Sequence, residues 1–375
     1  MTQFPPATSA ESLRQALEAG APITVLDIRT AADRAEWWIP GSLHLDVYEA
    51  LKRGDPAALA GAELPPDRPV VVVCHAGVVA REAALQLAHR GLDATSLAGG
   101  MRAWSQVWNH AVVAGLGPDT TVVQVRRTGK GCLSYLVGSR GEAAVIDPSA
   151  DPAVYLELAQ ERGWSIRAIL DTHIHADHVS RGRDLATRTG APVLLPAKAR
   201  VRYPFQVLEE GDRVAVGGAA LTVMDTPGHT AESVSYRLDD MALFTGDTLF
   251  LGGVGRPDLE AAGGEAAERA RLLHRSLARI VELPGDTIIL PGHVDRPVPF
   301  DGRPVAATLS GVRSEVEAVT GSGVDGFVRW LLGRIPATPP NYHEIVRLNH
   351  LEATKVDLEA LEAGANRCAV PARPF

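Results

Sequence analysis

The sequence predicts an α/β protein of two domains, a parallel α/β domain followed by an αββα sandwich. The chain has 375 residues, 46% of them hydrophobic, and this length exceeds what one hydrophobic core usually serves. In the first part, apolar strand segments alternate with helical segments, which is typical of a parallel sheet. In the second part, apolar segments come in pairs with glycine-rich turns, which indicates facing sheets with helices outside them.

The first domain is predicted over residues 1–112. A helix opens at Thr8, where Thr-x-x-Glu forms a capping box, and it stops at Gly20. The segments that follow are, in order, strand 23–27, helix 31–38, strand 70–73, helix 79–89 and strand 95–97. A stretch with two glycines and a proline, at 113–119, is the predicted linker.

The second domain is predicted over residues 120–350. We expect strands at 121–126, 132–137 and 143–146, and helices at 152–162, 183–189 and 265–282. The helices should pack outside two sheets whose ends carry the functional loops. The chain after residue 293 is rich in Pro and Gly and then predicts a helix at 324–332. Residues 351–375 are predicted to form a carboxyl-terminal tail.

The bulk composition argues against several classes of function. Lys and Arg total 37 against 45 Asp and Glu, a formal charge of −8, and no basic block could follow a phosphate backbone, so nucleic acid is not an expected partner. Three scattered cysteines form no CxxC pair and no disulfide framework. The sequence shows neither a basic leader with an apolar core nor an apolar run of bilayer length. We therefore expect a cytoplasmic protein with no membrane contact.

A cluster of metal-ligand residue types lies in the run Thr-His-Ile-His-Ala-Asp-His, which contains His173, His175, Asp177 and His178. Alternate residues at the end of a strand point the same way, so the two imidazoles of His-x-His can converge on one ion. Three more ligand types follow, each after a Gly or Pro turn, at His229, Asp247 and His293. A core would need a partner for every one of these polar groups, so the pattern predicts a metal centre.

The order of these ligands resembles that of the metallo-β-lactamase fold, and three stretches resemble the persulfide dioxygenases within it. They are the histidine run itself, Gly-Arg-Pro-Asp-Leu at 255–259 and Pro-Pro-Asn-Tyr-His-Glu-Ile-Val at 339–346. The resemblance implies one Fe(II) per chain, held by His173, His229 and Asp247. It also implies that glutathione persulfide, or another low-molecular-weight persulfide, is oxidised by dioxygen to sulfite and the thiol.

The same resemblance implies parts for neighbouring residues. The residues implied to orient the ligands or to hold a second metal are His175, Asp177, His178 and His293. Asp147 would buttress the ligand loop, Arg256 would bind a carboxylate of glutathione, and Tyr135 would line the substrate pocket. Arg181 stands where the family usually has glycine, which predicts a changed loop or an added charge near the pocket.

Cys74 directly follows four valines and precedes a helix, so we expect its sulfur to face backbone N–H groups that stabilise a thiolate. Most of residues 9–110 resemble a rhodanese domain, in Leu-Asp-Ile-Arg at 26–29, Trp-Ile-Pro-Gly-Ser-Leu-His-Leu at 38–45 and Leu-Ala-Gly-Gly-Met-Arg-Ala-Trp at 97–104. The resemblance implies that Cys74 is catalytic, accepting sulfane sulfur as a persulfide, with thiosulfate as one donor.

The loop after Cys74 departs from the rhodanese pattern. Active members usually carry a loop arginine, but this loop reads His-Ala-Gly-Val-Val-Ala, and Arg81 lies beyond the usual place. A cationic grip on thiosulfate is therefore not predicted. The competing interpretation is a buried structural cysteine in a degenerate domain.

Two alternative functions stay open on the sequence. The first is a glyoxalase II-like hydrolase of glutathione thioesters with two Zn ions, in which Asp247 bridges the metals. One ion would be held by His173, His175 and His229, and the other by Asp177, His178 and His293. The second alternative is a persulfide carrier or sensor that acts through Cys74. The rhodanese-like segment favours the dioxygenase over the hydrolase, and the intact ligand set argues against the carrier. We expect a homo-oligomer.

Overall fold

The computed structural model describes residues 5–351, 356–364 and 366–372. The predicted tail therefore lies partly outside the described residues, at 352–355, 365 and 373–375, as do the first four residues of the predicted first domain. Within the described residues, no helix combines the length and the apolar character that crossing a membrane requires.

Over its described residues, the first domain contains five short strands and five helices. The strands are β1 (Ala7–Thr8), β2 (Thr24–Asp27), β3 (Leu43–His44), β4 (Val70–Val73) and β5 (Ala94–Leu97). The helices are α1 (Ala10–Glu18), α2 (Ala31–Glu36), α3 (Tyr48–Lys52), α4 (Val78–His89) and α5 (Gly100–Trp104). The strands form one parallel sheet in the order β1-β5-β4-β2-β3. The predicted parallel α/β domain is confirmed.

Local chemistry explains the elements of this sheet. All four valines of β4 are buried, as expected for a central parallel strand covered on both faces. Helix α1 is capped by Ser9, whose side chain accepts the backbone N–H of Ser12. The cap therefore lies one residue after the predicted Thr8.

The second domain contains two sheets that face each other. The strands of the first sheet are β6 (Asn109–Val113), β7 (Thr120–Arg127), β8 (Cys132–Ser139), β9 (Glu142–Ile146), β10 (Ser165–Leu170), β11 (Val193–Pro196) and β12 (Gln206–Leu208). The strands of the second sheet are β13 (Arg213–Val216), β14 (Ala219–Asp225), β15 (Val234–Leu238), β16 (Ala242–Gly246), β18 (Ile288–Pro291) and β19 (Ala307–Thr308). Two strands form a separate pair, β17 (Gly253–Gly255) and β20 (Ala369–Pro371). One apolar core, which includes Val137, Leu221, Tyr236 and Phe244, contains side chains of both sheets.

Helices pack on the outer faces of both sheets and against the loop at Val179. They are α6 (Pro152–Glu161), α7 (Gly182–Thr189), α8 (Glu265–Val281), α9 (Leu309–Thr320), α10 (Gly323–Leu332), α11 (Tyr342–His350) and α12 (Leu358–Leu361). Helix α8 buries Ala270, Leu273, Leu277 and Ile280 on one face, which is the spacing of an amphipathic helix. These layers confirm the predicted αββα sandwich.

The boundary between the domains differs from the prediction. Strand β6 pairs with β7 over its whole length, so residues 109–113 belong to the second domain, although the prediction assigned residues up to 112 to the first. The strand alternates buried and exposed residues, as an edge strand with one covered face does. The predicted linker 113–119 therefore connects two strands of one sheet.

Candidate functional site

The predicted ligands lie at one end of the sandwich, each directly after a strand. The histidine run follows β10, His229 follows β14, Asp247 follows β16 and His293 follows β18. All of them are buried, with at most 3% of each residue exposed. Strand ends that meet at one edge bring together residues that are far apart in sequence.

His173, His229 and Asp247 form the first group of donor atoms, which lie within 4.8 Å of one another. Asp247 Oδ2 is 3.9 Å from His173 Nε2 and 3.6 Å from His229 Nε2. The other ring nitrogens bind protein atoms, since His229 Nδ1 donates to the carbonyl oxygen of Arg256 at 2.7 Å and His173 Nδ1 lies 2.9 Å from Thr172 Oγ1. Both Nε2 atoms therefore face the carboxylate and each other.

Several buried donor atoms at this position have no hydrogen-bond partner among the described residues. They are His173 Nε2, His175 Nδ1, His178 Nε2 and Asp247 Oδ2. A buried polar atom without a partner is costly, and two of these atoms, His173 Nε2 and Asp247 Oδ2, belong to one group whose donor atoms fit the coordination of a metal ion. The residues present therefore fit the metal that the sequence predicts.

His175 is oriented by carboxylates behind it. Its Nε2 lies 3.2 Å from Asp147 Oδ1 and 3.7 Å from Asp171 Oδ1, and Asp147 Oδ1 also accepts the backbone N–H of Thr172 at 2.7 Å. Asp147 adopts a positive φ of 52°, which directs its carboxylate under the ligand loop. Burial lowers the pKa of His175, but Asp147 outweighs burial and raises it well above the usual value. Asp147 thus buttresses the loop by hydrogen bonds, where the sequence predicted such a part.

A second group of donor atoms contains Cys132, Asp177, His178 and His293. Cys132 Sγ donates to Asp177 Oδ2 at 3.1 Å. His293 lies between two carboxylates, with Nε2 2.8 Å from Asp177 Oδ2 and Nδ1 2.5 Å from Asp247 Oδ1. Sequence reasoning did not predict Cys132 as part of the site, because the residue reaches His293 through a β-bridge that only the fold creates.

The electrostatics differ between the two groups. Burial lowers the pKa of both His173 and His229, so these imidazoles are neutral and can act as ligands. Burial also lowers the pKa of His293, but Asp177 and Asp247 together raise it well above the usual value. Burial raises the pKa of Asp247, and His293 more than reverses this effect. The two carboxylates thus favour the protonated form of His293, whereas burial favours the neutral form of His173 and His229.

Asn349 of α11 fixes the ligand loop from outside. Its Nδ2 donates to the carbonyl oxygens of His175 and His178 at 2.8 and 2.9 Å, and its Oδ1 accepts the backbone N–H of Ser180 at 2.9 Å. The side chain is buried. Sequence reasoning missed this residue, since a single asparagine in a helix gives no signal of its partners.

Arg181 is directed away from the metal ligands and is buried beside Glu362. Glu362 lies 2.9 Å from Arg181 and 2.8 Å from Arg127, and it accepts the backbone N–H of Val179 at 2.9 Å. Arg127 also donates to the carbonyl oxygen of Ser105 in the first domain. The charge of Arg181 is thus neutralised by Glu362, a residue of the predicted tail that the sequence did not single out.

Arg256 and Tyr135 are placed inside the protein. The guanidinium of Arg256 is fully buried and forms two bonds to the carboxylate of Asp258, at 2.7 and 2.8 Å. It also donates to the carbonyl oxygens of Ala337 and Arg367. The hydroxyl of Tyr135 donates to the carbonyl oxygen of Pro291 at 2.6 Å. These contacts do not support the substrate contacts predicted for the two residues; they instead orient the chain next to His229 and His293.

Cys74 lies at the carboxyl end of β4 with 1% of its surface exposed. Its Sγ accepts the backbone N–H of Ala80 at 3.4 Å, as expected for a loop that surrounds the sulfur. His75 and Arg102 line a cavity of about 300 Å³ beside this loop, whereas Arg81 lines a different one. Arg102 thus lies at the cavity next to His75, which the sequence did not indicate, while the cavity of Arg81 is lined by Ala76, Gly77 and Val78 of the same loop.

Models of two protein families match separate parts of the chain. Residues 9–107 match the rhodanese-like domain, and residues 127–293 match the metallo-beta-lactamase superfamily. The chain joins a rhodanese-like domain to a metallo-β-lactamase domain. Cys74 lies in the first of these domains and the buried metal ligands lie in the second.

Relatives of known name match the metallo-β-lactamase domain in sequence. A hydroxyacylglutathione hydrolase from Methylobacillus flagellatus is 39% identical over 161 residues, which cover 42% of this chain and 60% of that protein. One from Rhodospirillum rubrum is 39% identical over 165 residues, with the same two shares. The chain thus spans less than two thirds of the length of these relatives.

Solved structures share the fold. A metallo-beta-lactamase from Staphylococcus aureus subsp. aureus COL has a TM-score of 0.57 and 29% identity, covering 64% of this chain and 75% of that chain. ETHE1 from Myxococcus xanthus has a TM-score of 0.52 and 26% identity, covering 65% of this chain and 98% of that chain. The matched part of this chain thus corresponds to nearly the whole of the chain from Myxococcus xanthus.

Proposed function

We propose that this protein is an iron-dependent persulfide dioxygenase that converts glutathione persulfide, or a similar small persulfide, to sulfite and the thiol. The observation that carries the proposal is the group formed by His173, His229 and Asp247. Two histidines and one carboxylate with inward-facing donor atoms are the ligand set of non-haem Fe(II) oxygenases. His175 is not part of this group of atoms and instead joins Asp147 and Asp171.

Ferrous iron held by these three residues would supply open positions at which dioxygen and the outer sulfur of the substrate react side by side. In the overall reaction the outer sulfur loses four electrons and dioxygen accepts them. Dioxygen and one water provide the three oxygen atoms of sulfite, the S–S bond breaks, and the thiol leaves with one proton. Placing both reactants at one centre makes their encounter effectively intramolecular.

The protein residues hold the ligands in the form that binds metal. The Nδ1 of His229 donates to the carbonyl oxygen of Arg256, so its Nε2 keeps a lone pair. The Nδ1 of His173 lies next to Thr172 Oγ1, which in turn donates to Asp147. Such partners fix the ring and its tautomer. Arg256 is therefore a positioning residue: its carbonyl oxygen orients the ring of His229, and its ion pair with Asp258 holds that backbone in place.

His293 explains why a single metal is favoured. Its two nitrogens engage Asp177 Oδ2 and Asp247 Oδ1, so Asp247 keeps only Oδ2 for the first position. With both ring nitrogens engaged by carboxylates, His293 has no free nitrogen for a second metal.

A small cavity lies next to Asp177 of the second group of donor atoms. It has a volume of about 80 Å³, and its wall includes Ala176, Asp177, Tyr342, Ile345 and Arg367. The wall is partly apolar, which limits the access of water to the buried ligands. Lys130 provides a cation at this wall, and a carboxylate-bearing thiol such as glutathione would complement it.

The accompanying domain supports the dioxygenase over the hydrolase. The rhodanese-like domain adds a site for sulfane sulfur, which a thioester hydrolase does not require.

The test is oxygen uptake by anaerobically iron-loaded protein that is given glutathione persulfide, with iron measured on the same sample. We expect uptake in proportion to iron, at about one iron per chain, with sulfite formed in step. The variants His229→Ala and Asp247→Ala should lose both iron and uptake. His343→Ala is the matched control, because this histidine side chain is 75% exposed and lies outside both donor groups. Iron-loaded protein without uptake would refute the proposal.

The second candidate is a hydrolase of glutathione thioesters with two metals. The group of Cys132, Asp177, His178 and His293 favours it, since it could hold a second ion if His293 lost its proton. Hydrolysis of S-lactoylglutathione by protein with two zinc ions per chain, without oxygen uptake by the iron form, would establish this alternative.

A further inference from the structure

The cavities of the two active sites meet at the domain interface. The metal cavity is the cavity of about 80 Å³ described above, whose wall includes Asp177. The cysteine cavity, of about 300 Å³, is lined by His75 and Ala76, the two residues that follow Cys74. Three residues line both cavities: Glu36, Ala363 and Gly364. We call these three residues the saddle. The two cavities thus lie next to each other with a shared wall, and we call the pair the groove.

The two domains are held together on both sides of this groove. Trp37 is 5% exposed and belongs to the core of the metallo-β-lactamase domain, where it lies against Gly131. Arg367 lies 2.6 Å from Glu36, so an ion pair crosses the interface at the saddle itself. The saddle is therefore part of a packed interface, and its walls come from both domains.

The charges along the groove suit an anion. Its acidic residues are paired, Glu36 with Arg367 and Asp33 with His75 at 3.2 Å. Arg102 lines the cysteine cavity, and no hydrogen bond or ion pair of its guanidinium occurs within the described part of the chain. A small anionic persulfide would thus meet the guanidinium of Arg102, while the carboxylate of Glu36 is already paired with Arg367.

From this geometry we propose that the groove carries sulfur from Cys74 to the metal centre on a small thiol, without release of the persulfide to solvent. The proposal rests on the proposed function. A donor such as thiosulfate gives its outer sulfur to the Cys74 thiolate and leaves as sulfite. A glutathione thiolate then attacks the outer sulfur, the S–S bond to Cys74 breaks, and a new S–S bond forms on glutathione. The Cys74 thiolate is regenerated with no net oxidation, and the persulfide crosses the saddle.

The experiment compares one chain with two half-active chains. Iron-loaded wild-type protein is given thiosulfate and glutathione, and oxygen uptake is followed from the first turnovers. The comparison is an equal mixture of Cys74→Ser, which keeps the metal site, and His229→Ala, which keeps the cysteine, with the number of working sites of each kind matched. A shared groove gives an effective concentration of about millimolar, so we expect wild-type uptake to start without a lag and to run about tenfold faster than the mixture at first.

A change at the saddle supplies the second comparison. Ala363→Trp should fill the saddle and bring coupled uptake down to the level of the mixture. Because Ala363 also lines the metal cavity, uptake from supplied glutathione persulfide is measured on the same variant, and coupled uptake should fall by the larger factor; an equal fall in both would overturn the proposal. Mass spectrometry should still show one sulfur atom added to Cys74 by thiosulfate in this variant. Ala57→Trp is the control, because Ala57 is exposed and lines neither cavity. Ala363→Val is a smaller change that should give an intermediate rate if the tryptophan variant does not fold.

The outcomes separate the two proposals. If no protein consumes oxygen with supplied persulfide, the proposed function fails and the groove proposal fails with it. If supplied persulfide is consumed but wild type and mixture show the same rate and the same lag, the groove proposal alone is wrong. If thiosulfate adds no sulfur to Cys74, or if uptake with thiosulfate is absent, Cys74 is not the source and the groove proposal is likewise overturned.

Discussion

Removing the charge of Glu362 should lower the free energy of unfolding, because this residue of the tail binds the loop that carries the metal ligands. It is fully buried, pairs with Arg127 and Arg181, and accepts the backbone N–H of Val179. In Glu362→Gln the amide oxygen can still accept that N–H, so the loss is that of the ion pairs. Breaking a buried pair from one side costs about 3–5 kcal/mol, because the two arginines then keep buried charges without a counter-charge.

The effect of Glu362→Gln should depend on pH with a defined sign. Burial raises the pKa of Glu362, but Arg127 and Arg181 together lower it below its usual value. A carboxyl group with a lowered folded-state pKa contributes stability that is present above its unfolded pKa, about 4.3, and is lost as pH falls through the folded value. The difference between wild type and variant should therefore be full at pH 7 and shrink below about pH 4.

The difference in unfolding free energy between wild type and variant is measured by urea unfolding of metal-free protein at pH 7 and below about pH 4. Unfolding is followed by far-ultraviolet circular dichroism. Glu344→Gln is the matched control, since Glu344 forms an exposed pair with Arg347, and its unfolding free energy should equal that of wild type. A loss below about 1 kcal/mol at pH 7 for Glu362→Gln would refute the reasoning, because that is the range of exposed pairs. A loss that stayed the same at both pH values would also refute the reasoning.

Three further changes test the site and the interface. Asp147→Ala removes the acceptor behind His175 and should weaken iron binding by about 10–100-fold, as measured by competition with a chelator; unchanged affinity would contradict its buttress part. Gly255→Ala would place a methyl carbon 2.0 Å from the carbonyl oxygen of Asp247, so we expect the variant to lose iron and to retain its secondary structure. A fully iron-loaded variant would show that this contact does not matter. Trp37→Ala should cost about 3–5 kcal/mol in urea unfolding, since Trp37 is buried in the core of the other domain; a cost near zero would mean that the domains do not depend on it.

The outline of the fold and the metal ligands could be predicted from local sequence. The four valines of β4 form a buried central strand, and the amphipathic spacing of α8 gives its buried face, because these patterns depend on near neighbours in the chain. The histidine run and the three later ligands are chemically unusual as a set, and the structure brings them to one end of the sandwich. Rare polar residues in a fixed order retain their meaning without knowledge of the packing.

Contacts between distant segments could not be predicted in this way. The boundary at β6 was misplaced because its pairing with β7 is a tertiary choice between two neighbouring sheets. Arg256 gave the same signal in the sequence as a surface arginine, yet its guanidinium is fully buried against Asp258. Whether an arginine meets substrate or protein depends on what packs around it, and that is decided by residues far away in the chain.

The sequence by itself determined two domains, a metal centre with its ligand types, and a cysteine at the end of a buried strand, since each is written in short-range pattern and composition. Only the tertiary structure decided which ring nitrogens of His173 and His229 face Asp247, which carboxylates hold His293, and that the cavities of the two sites share a saddle. The physical reason is that orientation and adjacency come from packing between segments that are not neighbours in the chain, and no local pattern encodes that packing.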